Sequence, residues 1–202
     1  MNSRNRWRLG RILASALGLM LVIAVMAPGL AQGGIARARG HNVRWDLLLL
    51  QPPGSPTTAL AGGTNIGRDE ATGDTVELTG SGGAIPALRD ATGGGTFVHK
   101  HENGEEVAHG FYLVTGFVSW QRRTGTFPLP NDGIGHASQA SAGLLSLNVR
   151  FFPSDGPPVD GVLTVHCHFP DTPGPNDEGI SLVIGPFNFV QAGGVTVFHV
   201  FR

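Results

Sequence analysis

Histidine is the residue type in this chain whose number and spacing suggest a chemical role. Eight histidines occur, and two pairs have the form His-x-His: His99 with His101, and His166 with His168. Residues two apart on a β-strand point to the same side, so each pair could present two imidazoles to one metal ion. Zn²⁺, Cu²⁺, Ni²⁺ and Fe²⁺ all accept such nitrogen ligands. The spacing therefore predicts a transition-metal site built around one of these pairs.

Further ligands for such a site occur nearby in the sequence. His109 and His136 could add imidazoles, and Glu105 or Glu106 could add a carboxylate oxygen. A metal-dependent enzyme would use the first pair with one of these glutamates. His136 or the second pair would complete the ligand set, and one coordination position would stay open for the substrate.

About 45 residues around the first pair resemble a known metal-binding family. Gly93, the first pair and the glutamates after it are similar to the start of the first cupin motif, and residues 130–136 look like a stretched second motif. The resemblance implies a jelly roll that holds a metal through His99, His101, Glu105 or Glu106, and His136. The chain departs from the second motif at its end, where Ala140 takes the place of the closing asparagine.

The second pair also has a structural explanation. His166 and His168 share a face with Thr164, while Val165 and Cys167 belong to the opposite, apolar face. This alternation predicts that both histidines are surface residues of a solvated sheet. It also predicts that Cys167 is a small buried core residue and not a reactive thiol.

The other histidines allow similar explanations. His99 and His101 share a face with Phe97, which is compatible with a half-buried, hydrogen-bonded pair near a strand end. His199 lies within an apolar stretch and is predicted to be a core histidine. The sequence leaves the metal site and these structural roles open.

The elements that must position these residues are strands. The 31 glycines and 14 prolines are spread along the chain and separate short apolar stretches, and helical patterns are nearly absent. The fold class is therefore all-β: an antiparallel β-sandwich or jelly roll of about eight strands, or alternatively a closed antiparallel β-barrel. The predicted strands cover residues 43–50, 75–79, 96–102, 111–121, 144–152, 161–169, 179–184 and 195–201.

The pattern within these stretches assigns faces. Residues 145, 147, 149 and 151 are apolar and predicted to be buried, while the residues between them become increasingly polar. The strands at 111–121 and 195–201 are apolar on both faces, which predicts a central position or a cover on each side. Glycines 93–95 are predicted to break the strand and form a loop, and the acidic, proline-rich segment 170–179 is predicted to be an exposed loop.

The first 31 residues have the pattern of a cleaved export signal. Four arginines precede an apolar run of about 15 residues, which is shorter than the ~20 that span a membrane, and small residues follow at 29–31. Residues 32–41 are predicted to be a flexible lead-in, and residues 42–202 a single all-β domain. The expected location is periplasmic or secreted, in a bacterium, as a soluble protein with no integral membrane segment after cleavage.

Charge and composition limit the classes of function that the chain could have. The leader contains four of the 14 basic residues and none of the 15 acidic ones, so the remaining chain has a net charge of −5. This balance argues against nucleic-acid binding, which needs clustered cations. A binding or structural module with a protein or carbohydrate ligand is favoured, and a cupin-like metal enzyme is the alternative. Whether the chain is an enzyme stays open.

Overall fold

The computed structural model describes residues 41–51, 57–175 and 177–201. The predicted leader and nearly all of the lead-in lie outside these residues. Two short 3₁₀ turns, Pro86–Leu88 and Ala137–Gln139, accompany the strands. The strands are β1 (Asn42–Leu50), β2 (Thr58–Ala61), β3 (Asn65–Asp69), β4 (Thr75–Leu78), β5 (Ser81–Ile85), β6 (Asp90–Lys100), β7 (Glu106–Arg123), β8 (Asn131–Asp132), β9 (Ala140–Pro153), β10 (Val159–Cys167), β11 (Gly179–Ile184), β12 (Phe187–Gly193) and β13 (Thr196–Phe201).

The all-β fold class is confirmed, and the number of strands exceeds eight. Each of the eight predicted strands is present, and the described residues add five more: β2, β3, β5, β8 and β12. Within this part of the chain, no helix has the length and apolar character needed to span a membrane.

Eight strands form a closed ring of antiparallel pairs, called here the main ring. From β3 the order is β4, β6, β7, β9, β10, β11 and β12, and β12 pairs again with β3. Alternate side chains of each strand therefore face an enclosed interior. The sheet closes on itself, as in the closed alternative predicted from the sequence.

A second ring shares three long strands with the main ring. It consists of β1, β5, β6, β7, β9 and β13, again joined by antiparallel pairs. β2 pairs with β1 and, in the parallel sense, with β8. Residues 90–94 of β6 pair with β5, whereas residues 97–100 pair with β4.

Glycines 93–95 lie within β6, so the prediction that they break the strand is wrong. They occupy the point where β6 changes its partner from β5 to β4. A Cβ atom on Gly95 would lie 1.8 Å from the carbonyl oxygen of Thr79, and one on Gly94 would lie 2.3 Å from that of Tyr112. The glycines therefore permit close backbone approach and do not interrupt the strand.

The predicted apolar faces of β9 and β10 are confirmed. Leu145, Leu147, Val149 and Phe151 are each at most 2 % exposed, and Cys167 is 1 % exposed. In β13, residues 196–200 are buried, so the cover predicted on both faces is present.

The outer face of β7 does not have such a cover. β7 is central, because it pairs with β6 and β9, but Phe111 and Leu113 are 49 % and 48 % exposed. Tyr112 between them is buried and stacks on Phe151, with ring centroids 5.2 Å apart. Of the two alternatives predicted for this strand, the central position is therefore the one that the structure has.

Candidate functional site

His99 lies near the end of β6, with its side chain inside the main ring. Its register partners are Val76 on β4 and Ala108 on β7, and directly paired residues share a face of the sheet. Phe97, two residues earlier on β6, is buried. The His99 side chain is 13 % exposed, which confirms the prediction of a half-buried histidine on the face of Phe97.

The carboxylate closest to His99 belongs to Asp74, immediately before β4. Nε2 of His99 lies 3.0 Å from Oδ2 of Asp74, and Nδ1 of His101 lies 3.3 Å from the same oxygen. Asp74 is 5 % exposed, whereas the His101 side chain is 54 % exposed. One buried carboxylate thus contacts a histidine of the interior and a histidine of the surface.

The β3–β4 turn places Asp74 in this position. Oδ1 of Asp69 accepts hydrogen bonds from the N–H groups of Ala71 and Thr72, and the Asp69 N–H donates to the carbonyl of Asp74. A hydrogen bond from the Asn188 N–H, together with those from Thr72 and Ala71, holds the pKa of Asp69 below its usual value. Asp69 is therefore an ionised acceptor that fixes the turn.

The hydrogen bonds of Asp74 determine the proton position on His99. Burial raises the pKa of Asp74, but the hydrogen bonds and charges of His101 and His99 outweigh it, so the pKa lies below its usual value. An ionised carboxylate only accepts hydrogen bonds, so Nε2 of His99 is the nitrogen that carries the donated proton. In the neutral ring, Nδ1 is then an acceptor, and the described residues give it no hydrogen-bond partner.

A cavity of about 250 Å³ lies at this end of the main ring. Its wall is almost entirely apolar, and among the described residues that line it, His99 alone has an ionisable side chain. Phe187 and Phe189 stack on each other 5.5 Å apart. Both rings meet the His99 imidazole edge to face, at centroid distances of 5.0 and 5.6 Å. These contacts fix the plane of the imidazole in the wall.

The other predicted ligands near the first pair lie elsewhere. Glu105 and Glu106 are exposed, and Oε1 of Glu106 lies 2.7 Å from Nδ1 of His109. His136 is exposed and precedes the 3₁₀ turn at 137–139. The first pair therefore shares Asp74, while the predicted glutamate pairs with a different histidine.

The second pair is more buried than a solvated face predicts. Nε2 of His166 lies 2.9 Å from Oγ of Ser181, and the Nδ1 atoms of His166 and His168 are both buried. Burial lowers the pKa of His166. The surface prediction fails because β11 pairs with β10 and brings Ser181 to the His166 imidazole. Glu178 accepts a hydrogen bond from the His168 N–H at the same end of the strand.

In the part of the chain that the structure describes, no three or more His, Cys, Asp or Glu side chains form a group that could hold a metal ion. His99 and His101 contact Asp74 instead, His109 contacts Glu106, and His166 contacts Ser181. A transition-metal site therefore stays a prediction of the sequence.

Glu178 lies in the segment predicted to be exposed, yet its carboxylate is half-buried. Oε1 accepts hydrogen bonds from the N–H of Thr196 at 2.6 Å and from its hydroxyl at 3.1 Å, while Oε2 accepts from His168. Burial outweighs these hydrogen bonds and raises the pKa of Glu178 to about 7. Most of residues 170–175 are exposed, so the loop prediction is wrong mainly for Glu178 and for Thr172, which is buried.

Cys167 is expected to react slowly with thiol reagents in the native protein. Its Sγ donates to the carbonyl of Thr196 at 3.4 Å, and burial raises the pKa of the thiol well above its usual value. Both effects keep the reactive thiolate scarce and inaccessible. Labelling followed by mass spectrometry should be at least about 100-fold slower in buffer than in urea. Comparable rates in the two solvents would show that the thiol is accessible.

His199 is a core histidine, as predicted. It is fully buried on β13, and its Nε2 lies 2.8 Å from Oδ2 of Asp132. Oδ1 of Asp132 accepts hydrogen bonds from the N–H groups of Ile134 and Gly135, both at 3.0 Å. Burial raises the pKa of Asp132, but these hydrogen bonds and the contact with His199 lower it below its usual value. The pair attaches the loop after β8 to the sheet.

Sequence reasoning identified His99 but missed Asp74 and Glu178. Asp74 is 25 residues from its partner His99, and no local motif links the two. The only available signal was the turn composition at 69–74, which indicates a tight turn but no contact. No protein-family model, no curated protein and no solved structure matches this chain, so the geometry alone supports a function.

Proposed function

We propose that this protein is an exported module that binds a small, mostly apolar molecule in the cavity of the main ring. The observation that carries the proposal is the apolar cavity with a single ionisable wall residue, His99. Ligand sites are typically concave and apolar with few polar groups that orient the ligand, and they occur in the mouths of closed β-structures.

The cavity limits the size of the ligand. A buried cavity of roughly 150 Å³ binds benzene in an engineered protein, so about 250 Å³ suits a two-ring aromatic or a compound of similar size. The carbohydrate ligand considered from the sequence is less suitable, because two of the four aromatic residues that could line its binding face, Trp45 and Phe151, are buried in the core.

His99 would orient the polar end of the ligand. Nδ1 is an acceptor without a described partner, so a hydroxyl group of the ligand could donate to it. The remaining wall, including Phe97 and Phe189, would contact the apolar part.

Naphthalene is expected to bind with a Kd between about 50 µM and 1 mM, from roughly 0.4–0.6 kcal/mol for each of its carbon atoms. Methyl and aromatic NMR shifts of the residues that line the cavity would measure it. Ala108→Leu fills the cavity and should weaken binding about tenfold or more, because Ala108 is part of the wall. Ala61→Leu, at an exposed position of β2, is the matched control and should leave Kd unchanged. Equal weakening by both variants, or shifts outside the cavity only, would contradict the proposal.

A further inference from the structure

We propose that the cavity is also a catalytic site, in which His99 acts as a general base on a carbon–hydrogen bond of the bound molecule. The substrate class is a small, mostly apolar molecule with a weakly acidic C–H bond, such as the one beside a carbonyl group. This inference rests on the proposed binding function.

The first argument is the pairing of His99 with Asp74. A buried carboxylate 3.0 Å from Nε2 holds the proton on that nitrogen and leaves the Nδ1 lone pair available. The same carboxylate stabilises the imidazolium that forms when Nδ1 takes up a proton, as a carboxylate does in other histidine-based catalysts. Asp74 is thus a positioning residue, and His99 is the catalytic residue.

The second argument is the surroundings of His99. Its ring is held edge to face against Phe187 and Phe189, so its orientation is fixed before a substrate binds. The cavity wall is almost entirely apolar, so few groups compete with the substrate for the base. The pair His109–Glu106 has a similar contact of 2.7 Å, but both side chains are at least half exposed and lie outside the cavity wall.

The reaction balances without a cofactor. In a β,γ-unsaturated carbonyl compound, the C–H bond beside the carbonyl breaks as an N–H bond forms at Nδ1 of His99, and the electron pair is delocalised through the dienolate onto the carbonyl oxygen. Return of the proton from Nδ1 to the γ-carbon re-forms the C=O bond and moves the C=C bond into conjugation with it, which gives an isomer and restores the neutral imidazole. The reaction class is therefore proton transfer that leads to isomerisation.

The compound 5-nitrobenzisoxazole tests the base directly. It is a two-ring molecule similar in size to naphthalene, and removal of its C3 proton breaks the N–O bond and releases a coloured cyanonitrophenolate. The wild-type protein is expected to accelerate this reaction about 100-fold or more over buffer. His99→Gln should remove the acceleration, because the amide cannot accept a proton. His109→Gln is the matched control and should leave the rate unchanged.

Asp74→Asn is a second variant that preserves size and hydrogen bonding. The amide of asparagine can donate to Nε2, which moves the imidazole proton to Nδ1 and removes the base. We expect about tenfold slower reaction or more, together with a change in the ¹⁵N chemical shifts of His99 that reports the new tautomer. A purely structural role of Asp74 would leave those shifts unchanged, and that result would overturn its assignment.

Binding of the probe, followed by NMR, separates the two proposals. If 5-nitrobenzisoxazole binds in the cavity but reacts no faster than in buffer, or equally fast with His99→Gln, catalysis by His99 is overturned and the binding function stands. If neither naphthalene nor the probe binds there, the binding function and the catalytic inference both fail. Circular dichroism of each variant shows that it is folded.

Discussion

Replacing Asp132 with alanine is expected to lower the free energy of unfolding by about 3–5 kcal/mol. The variant leaves Nε2 of His199 and the N–H groups of Ile134 and Gly135 without their acceptor. His199 is fully buried, so water cannot replace the lost partner without opening the structure. Urea unfolding at neutral pH, followed by tryptophan fluorescence, would measure the change.

Two further variants make this test specific. Asp132→Asn retains an oxygen acceptor for the loop and should lose less than half as much stability. Asp160→Ala removes the partner of Arg150 in an ion pair whose side chains are 48 % and 66 % exposed, and should cost less than about 1 kcal/mol. If Asp132→Ala costs no more than Asp160→Ala, the loop after β8 is not held by this carboxylate.

Glu178 is expected to make the protein less stable as the pH rises from about 4.5 to about 7. Burial raises its folded-state pKa from 4.5 to about 7, so the native state binds more protons than the unfolded state in this range. Stability is therefore highest below the unfolded pKa and decreases as the carboxyl ionises, by up to about 3 kcal/mol. Urea unfolding at pH 5, 6, 7 and 8 would measure the trend.

Comparison with Glu178→Gln isolates this effect from other titrations. Burial lowers the pKa of His166, which adds a slope of opposite sign, because the unfolded histidine is protonated first as the pH falls. The stability of the wild type relative to Glu178→Gln should thus decline by about 2.5 kcal/mol between pH 5 and pH 8. Glu105→Gln, at an exposed position, should alter stability by less than about 0.5 kcal/mol at each pH. A relative stability that is constant with pH would show that the Glu178 carboxyl is not desolvated.

Strands with strong alternation could be predicted from the sequence. Leu145 to Phe151 and Leu163 to Cys167 follow a period of two, and the apolar residues of both stretches are buried as predicted. The strands β3 and β5 were not predicted, because their sequences lack the pattern that indicates a strand. β3 buries the polar residues Asn65 and Asp69, and β5 begins Ser81-Gly82-Gly83, so neither has an apolar alternation. The glycines at 93–95 predicted a break between strands, whereas Gly94 and Gly95 allow the backbones of neighbouring strands to approach closely.

The candidate site was predictable only in part. The His-x-His spacing correctly placed His99 and His101 at one strand end, because that depends on local geometry. Both histidines share the carboxylate of Asp74, which is close to them only because β4 lies beside β6. The sequence instead indicated glutamates that follow the histidine pair in the chain. Asp74 reaches both histidines because β4 pairs antiparallel with β6, with Thr75 opposite Lys100. Such partners require the tertiary structure.

The pairing of β1 with β13 has a consequence for how the chain acquires its structure. These strands are in register from Asn42 with Phe201 to Leu47 with Thr196, although eleven other strands separate them along the chain. Contacts between segments so distant in sequence form late and slowly. One edge of β1 therefore has no pairing strand until β13 has been synthesised. The second ring, which β13 completes between β1 and β9, therefore stays open until synthesis of the chain is nearly finished.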